Sequence, residues 1–396
     1  MKLKHGLHLA YCANIHRGEN WEQIFDTLSR YTLEVRKQIC PADPYAIGLR
    51  LGNDAARELS RPKVLAAFQN WLDQENCYVF TINGFPYGTF HGRQVKELVY
   101  QPDWTIPERL AYTNLLFDLL AALVPDGVEG SVSTVPVCYK EHVQNDRYIR
   151  EARKNLWKCV DHIEQLSRRT GKKLHLGLEP EPLCYLATSE ETVRFFEQMR
   201  KDRPGDLRIE DHLGVNYDCC HLAVEFERAR EALGRLQQHK IRISKIHLSS
   251  ALKVHPTPEV REALRAYTND IYFHQVVERS SEGSLKRYRD LEDALASDPS
   301  AVPHLPEEWR IHFHIPLYTQ PTKLFDNTAD HIAGTLDFVK AHPGLCSHFE
   351  METYTWEVLP PELKRRNVVD QLADEYRWTL KQMAGRGLAQ GARLKD

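Results

Sequence analysis

The apolar and polar positions of this chain change period repeatedly along its length. Nine short runs read as strands: 8–16 (HLAYCANIH), 45–51 (YAIGLRL), 78–85 (YVFTINGF), 129–136 (EGSVSTVP), 173–182 (KLHLGLEPEP), 212–221 (HLGVNYDCCH), 242–250 (RISKIHLSS), 309–317 (WRIHFHIPL) and 347–355 (SHFEMETYT). Between most of them, apolar residues recur at i, i+3, i+4 and i+7, the period of an amphipathic helix. Segments 108–124 (ERLAYTNLLFDLLAALV), 147–170 (RYIREARKNLWKCVDHIEQLSRRT) and 189–202 (SEETVRFFEQMRKD) are examples. Strand then helix, repeated about eight times, predicts an α/β chain of parallel βαβ units closing into a (β/α)8 TIM barrel. A doubly wound open sheet is the alternative. No G-x-G-x-x-G follows the first run, so a dinucleotide-binding sheet has no positive support.

Residues 252–308 break the rhythm with polar, Pro- and Ser-containing stretches such as HPTPEV, SSEGS and SDPSAVPHLPEE. This reads as a loop insertion over the barrel mouth, with 309–317 as an extra strand or an extension of the seventh. The expected organisation is one barrel over residues 1–385 and a frayed tail over 386–396.

Composition changes this picture little. The chain has 396 residues, 42% hydrophobic and 27% charged, enough to bury a large core. A net charge of −3 gives no basic excess, so no nucleic-acid partner is expected. Nine cysteines without a CxxC pair suggest reduced thiols and a cytoplasmic location, with Cys12, Cys77 and Cys138 in the core. His8 and Asn14 interrupt the first apolar run, which makes it a poor signal peptide, and no apolar stretch is long enough for a membrane span.

The candidate chemistry gathers where strands end. Asn14 and His16 end the first run, Asn83 the third, Glu179 and Glu181 the fifth, and Asp218 and His221 the sixth. His247 ends the seventh, His312 and His314 the extra strand, and Glu350 and Glu352 the last. Alternate strand residues share a face, and all barrel strands point their C-terminal ends at one rim. Several carboxylates brought together out of water need a cation. A mixed Asp, Glu and His set suits a divalent Zn, Mn, Co, Fe or Mg ion and argues against Ca2+. His175 and His348 read as core residues, Glu181 as a rim residue and Lys140 as a surface lysine. His91, in PYGTFHG, reads as a loop residue that covers the site or is merely exposed. Cys219 and Cys220 read as packing, since neighbouring strand residues face opposite ways.

GVNYDCCHLAVEFE resembles the G-V-x-x-D-x-x-H strand of xylose isomerase-like barrels, a superfamily of sugar-phosphate isomerases and epimerases and of endonuclease IV-type apurinic endonucleases. The resemblance implies Glu179 (LGLEP) as a bridging metal ligand, Asp218 as a ligand, and His221 as a second ligand or a substrate contact. It implies His247 (KIHLSS), then His312 and His314 (HFHIP), and finally Glu352 (FEMETYTW), with Glu350 in reserve. Asn14, His16, Asn83, His91 and Glu350 would face substrate. YCANIHRGENW, VFTINGFPYGTFHG, EGSVSTVP, DCCHLAVEFE, IHFHIPL and METYTWEVLP are further similar to the EboE family of metabolite traffic proteins. That similarity implies a role in making or exporting a small metabolite, alongside pathway partner proteins. Two departures count against a trinuclear zinc nuclease: His312 stands where the nuclease pattern has aspartate, and Asn83 ends the strand where a histidine is needed.

Three functions follow as expectations. The first is a metal-dependent isomerase or epimerase acting on a sugar, cyclitol or related polyol, with Glu179 and Glu352 shuttling a proton and His221 holding a hydroxyl. The second is metal-assisted hydrolysis of a small phosphoester. The third is metabolite binding without turnover.

Overall fold

The computed structural model describes residues 1–88, 96–268, 273–297, 306–355 and 367–390. Seven parallel strands come first: β1 (His8–Tyr11), β2 (Tyr45–Arg50), β3 (Cys77–Asn83), β4 (Gly130–Thr134), β5 (Leu174–Leu178), β6 (Leu213–Asp218) and β7 (Arg242–Leu248). Five strands of a second sheet follow: β8 (Ala251–Val254), β9 (Val276–Ser280), β10 (Leu285–Tyr288), β11 (Pro306–His314) and β12 (Asp326–Asn327). The chain then returns to the barrel with β13 (His348–Met351), which pairs with both β1 and β7. The first sheet thus runs β1-β13-β7-β6-β5-β4-β3-β2, and a parallel bridge between Cys12 and Gly48 joins its two ends. A nearly closed eight-stranded barrel results, as the alternation of strands and helices predicts.

Gly48 shows why closure needs a missing side chain. A Cβ there would sit 1.8 Å from Glu350 Oε1 and 2.7 Å from the Tyr11 carbonyl. The helices follow their sequence signals. The helix Asp146–Thr170 starts on Asn145, whose side chain accepts from the Tyr148 N–H, and ends on Gly171 at φ 72°. Thr188 and Glu191 form a capping box at the start of Ser189–Asp202. His175 and His348 are core residues, their rings tilted against each other at 5.3 Å between centroids near the N-terminal ends of β5 and β13.

The insertion differs from expectation. Residues read as a covering loop build an antiparallel sheet in the order β10-β9-β11-β8-β12, with its own core of Leu252, Val254, Leu264, Tyr267, Trp309, Ile311 and Phe313. Its charged residues, such as those of LKRY in β10, are outward-facing edge positions and so mimic loop composition. The run 309–317 is the extra strand, β11, paired with β8 and β9 rather than continuing β7.

The tail also differs. Leu388 and Ala389 are buried against the barrel, and Arg386 pairs with Asp337 at 2.7 Å, so the chain is anchored to at least residue 389. Residues 391–396 lie outside the described residues. No described helix is long and apolar enough to cross a membrane.

Candidate metal centre and active site

Four barrel strands and the insertion deliver the site. Glu179 follows β5, Asp218 ends β6, His247 lies near the end of β7, and Glu352 follows β13. All four are buried. One ligand atom from each falls within 4.8 Å of the others. His247 Nδ1 is the hub, 3.0 Å from Glu179 Oε1, 3.0 Å from Glu352 Oε2 and 3.4 Å from Asp218 Oδ2.

Neighbours hold these carboxylates in place. Asp218 Oδ1 accepts from Ser249 Oγ at 2.7 Å and from the His221 N–H at 3.0 Å. Asn14 donates to Glu352 Oε1 at 2.7 Å. Asp218 Oδ2 is buried, has no hydrogen-bond partner, and faces the cluster.

Beneath this cluster lies a buried ion pair that the sequence reading missed. Lys245 Nζ sits 2.6 Å from Glu350 Oε2 and donates to Asn83 Oδ1 at 2.7 Å. Asn83 Nδ2 in turn donates to Glu350 Oε1 at 3.0 Å. His247 Nε2 donates to Glu350 Oε2 at 3.1 Å, and Nδ1 faces the carboxylates, the nitrogen at which a cation would replace a proton. Glu350 is therefore a supporting residue and Glu352 the one in the cluster. A signal for Lys245 existed: it stands two residues before His247 and so shares its face of an apolar strand.

The electrostatics fit a cation. Lys245 offsets Glu350, whose carboxyl burial would raise but which Lys245 and His247 hold down at about 2. Three carboxylates then surround one imidazole. Burial and Lys245 oppose charge on His247, yet Glu352, Glu179 and Asp218 outweigh them and lift it well above the ordinary imidazole range. Burial would also raise Asp218, but His221, His247 and His314 hold it well below the carboxylate range. The donor set of three carboxylates and one imidazole, with an orphaned carboxylate oxygen, fits a divalent Mn, Mg, Co, Fe or Zn ion.

The insertion supplies the other half. In β11, Trp309, Ile311 and Phe313 enter the insertion core, so His312 and His314, in the opposite phase, point into the barrel mouth. Their Nε2 atoms lie 3.2 Å apart. His312 Nδ1 donates to Gln275 Oε1 at 2.7 Å, and His314 Nδ1 donates to the Glu352 carbonyl at 3.0 Å. Burial depresses both imidazoles; His221 adds to this at each, while Asp218 acts against it at both and Glu352 at His314.

His221 is on neither a strand nor a loop. Asp218 caps the short helix Cys219–Val224, and His221 lies in its first turn, with Nδ1 donating to the Pro180 carbonyl at 3.0 Å. Strand alternation therefore does not govern Cys219 and Cys220. Cys219 donates to Thr335, whereas Cys220 approaches His312 and His314.

A cavity opens above the cluster. Glu179, Glu352, His221, His312, Asn14 and Asn83 form its polar lining, and Phe85, Val99, Phe273 and Tyr354 its apolar lining. Glu181 also lines it, held by Tyr100 at 2.6 Å, and burial pushes its carboxyl up to about 7. Tyr100 and Gln275 come from outside the barrel strands and had no periodic signal in the sequence. His16 turns away to Tyr11 at 2.9 Å and stacks on Tyr31, outside the cavity lining. Lys140 pairs with Glu191 at the surface. His91 lies outside the described residues.

No family model and no curated protein matches the sequence. Solved structures do match the fold. A xylose isomerase-like TIM barrel protein from Mycobacterium smegmatis, in complex with magnesium, is 13% identical, with 98% of this chain and 99% of that chain covered and a TM-score of 0.54. The fold is that of a xylose isomerase-like TIM barrel. IolI with a bound zinc atom matches over 96% of this chain and 98% of its own at 13% identity and a TM-score of 0.50. An L-ribulose 3-epimerase matches over 98% and 99% of the two chains at 13% identity and a TM-score of 0.50.

Proposed function

We propose that this protein is a divalent-metal-dependent isomerase or epimerase of a small polyol, sugar or cyclitol, serving metabolite traffic of the EboE type. The observation that carries the reading is the pairing of Glu179 and Glu352. Both line the cavity, and each sits 3.0 Å from His247 Nδ1 on a different barrel strand end. A cation held by Glu179, Asp218, His247 and Glu352 would polarise adjacent oxygens of a bound polyol.

The protein's own groups do the rest. One of Glu179 and Glu352 takes a proton from a carbon next to a carbonyl, and the other returns a proton from its own side. The two residues differ in support. Asn14 fixes Glu352 from below, whereas no side chain among the described residues donates to Glu179 except His247. His221 and His312 offer ring nitrogens to substrate hydroxyls at the cavity wall. Phe85, Phe273 and Tyr354 keep water from the reacting carbon. The match to an L-ribulose 3-epimerase and to barrels holding zinc or magnesium supports this class of reaction.

The test is solvent exchange. Manganese-loaded protein in deuterated water is incubated with a panel of ketopentoses, ketohexoses and inososes. Deuterium should enter the carbon next to the carbonyl of at least one of them, and Glu179→Gln should slow entry by about 100-fold or more. Absence of exchange across the panel at full metal loading would sink the proposal.

A further inference from the structure

The opposite end of the barrel carries a second cavity. Leu7 precedes β1, Glu129 precedes β4, Arg242 opens β7 and Ser347 precedes β13, so the residues that line it stand at the N-terminal ends of the strands. Its volume is about 690 Å3, in the range that takes a small-molecule ligand. Barrels of this kind keep their chemistry at the C-terminal rim, which makes this cavity separate from the carboxylate cluster. Two observations set it apart from a packing gap. The first is His175 at its wall. His175 is 2% exposed, its Nε2 faces Glu129 Oε2 at 3.5 Å, and its Nδ1 has no hydrogen-bond partner. Buried polar atoms are nearly always satisfied, so this nitrogen calls for a polar atom from an occupant. The second is the charge balance. Arg242 is matched by Glu129 at 3.2 Å and Arg386 by Asp337 at 2.7 Å. Lys340 is exposed at the cavity and has no ion-pair partner among the described residues. Burial, working against Glu129, lowers the His175 imidazole to about 4, so His175 adds no charge at neutral pH. One permanent positive charge is left over.

We propose that this cavity is a second ligand site, which takes a small organic monoanion with a largely apolar body. Lys340 meets the charge, and Leu7, Val339, Leu345 and Leu388 pack against the body. A single unmatched cation suits one negative group, a carboxylate or a sulfonate, better than a phosphate dianion. An oxygen on the body meets His175 Nδ1. The occupant touches β5 through His175 and β7 through Ile243 and Ser244. These are the strands that lead to Glu179 and His247 at the other rim, so the two ligands would share two strands without sharing a residue.

Fluorescence titration of the full chain with two probes tests this. One is 8-anilinonaphthalene-1-sulfonate, an apolar monoanion, and the other is N-phenyl-1-naphthylamine, which has the same rings and no charge. The wild-type protein should bind one equivalent of the sulfonate, about 5-fold tighter than the amine. Lys340→Glu should erase that preference and leave the affinity for the amine unchanged. Lys340 is exposed, so this variant keeps the fold. Leu345→Trp should fill the cavity and weaken both probes by about 10-fold or more, with near-ultraviolet circular dichroism as the folding control. Tyr354→Ala, at the mouth beside the carboxylate cluster, should change neither probe. Equal affinity for the two probes in the wild-type protein overturns the monoanion site. Sulfonate binding that survives Lys340→Glu and Leu345→Trp but is lost in Tyr354→Ala also overturns it, since the probe then sits at the other rim. Absence of saturable binding overturns it outright.

Discussion

Lys245 is buried where no solvent can share its charge, and its partners define what it does. It neutralises Glu350, which in turn accepts from His247 Nε2 and keeps Nδ1 turned to the carboxylates, where a cation would replace a proton. Removing one member of such a pair leaves a buried unpaired charge. Lys245→Met should destabilise the protein by about 3–5 kcal/mol in urea unfolding, and Lys245→Met with Glu350→Gln should recover most of that loss. A second residue carries the pH dependence. Burial pushes the Glu375 carboxyl from 4.5 up to about 7, although Thr353 at 2.6 Å and the Leu317 N–H at 3.1 Å donate to it. The folded state keeps this proton where the unfolded chain has lost it. Its contribution to stability therefore falls as pH rises from 4.5 to about 7 and is constant above that. Glu375→Gln should remove the fall and gain up to roughly 3 kcal/mol relative to wild type at pH 8, read from denaturation midpoints at pH 5 and pH 8. The cluster of Glu179, Asp218, His247 and Glu352 was legible because each stands at or just past the end of an apolar run. Periodicity could not separate Glu350 from Glu352, since they share a face; the resemblance put Glu352 first, and the Lys245 contact is what sets Glu350 apart. His16 looked equivalent to Asn14, but the chain turns between them into a short 3-10 helix and sends His16 to Tyr11.

At the scale of elements, the two faces of β11 explain the insertion. One face builds a small core around Trp309, and the other delivers His312 and His314 to the mouth. Trp309 also donates to Glu278 at 2.7 Å, tying β11 to β9. Trp309→Ala should loosen this sheet by about 3–5 kcal/mol without melting the barrel. Hydrogen exchange should then quicken across residues 251–327 and stay slow in β5 and β6. Equal acceleration in both sheets would contradict two separate cores. The parallel strands were readable because burial on both faces makes them continuous apolar runs. Among the insertion strands β11 was read, as the run 309–317, but β8, β9, β10 and β12 were not, because they are two to five residues long and carry charged residues such as Lys253, Glu278, Arg279, Lys286 and Arg287. A short antiparallel sheet of that kind has the composition of a loop.

Across the whole molecule, the barrel sets four strand ends around one point and the insertion closes over it. The last strand, β13, lies between β1 and β7 although some hundred residues separate it from β7, so Glu352 meets His247 only once the barrel is closed. That arrangement makes the cation pocket the central claim. Diffraction from crystals soaked in Mn2+, recorded at the manganese edge, tests it most directly. The account predicts an anomalous peak at about 2.0–2.3 Å from carboxylate oxygens of Glu179, Asp218 and Glu352 and from His247 Nδ1. A clean map at that position, with His247 Nδ1 still hydrogen-bonded to Glu179 and Glu352 at high Mn2+, would contradict it.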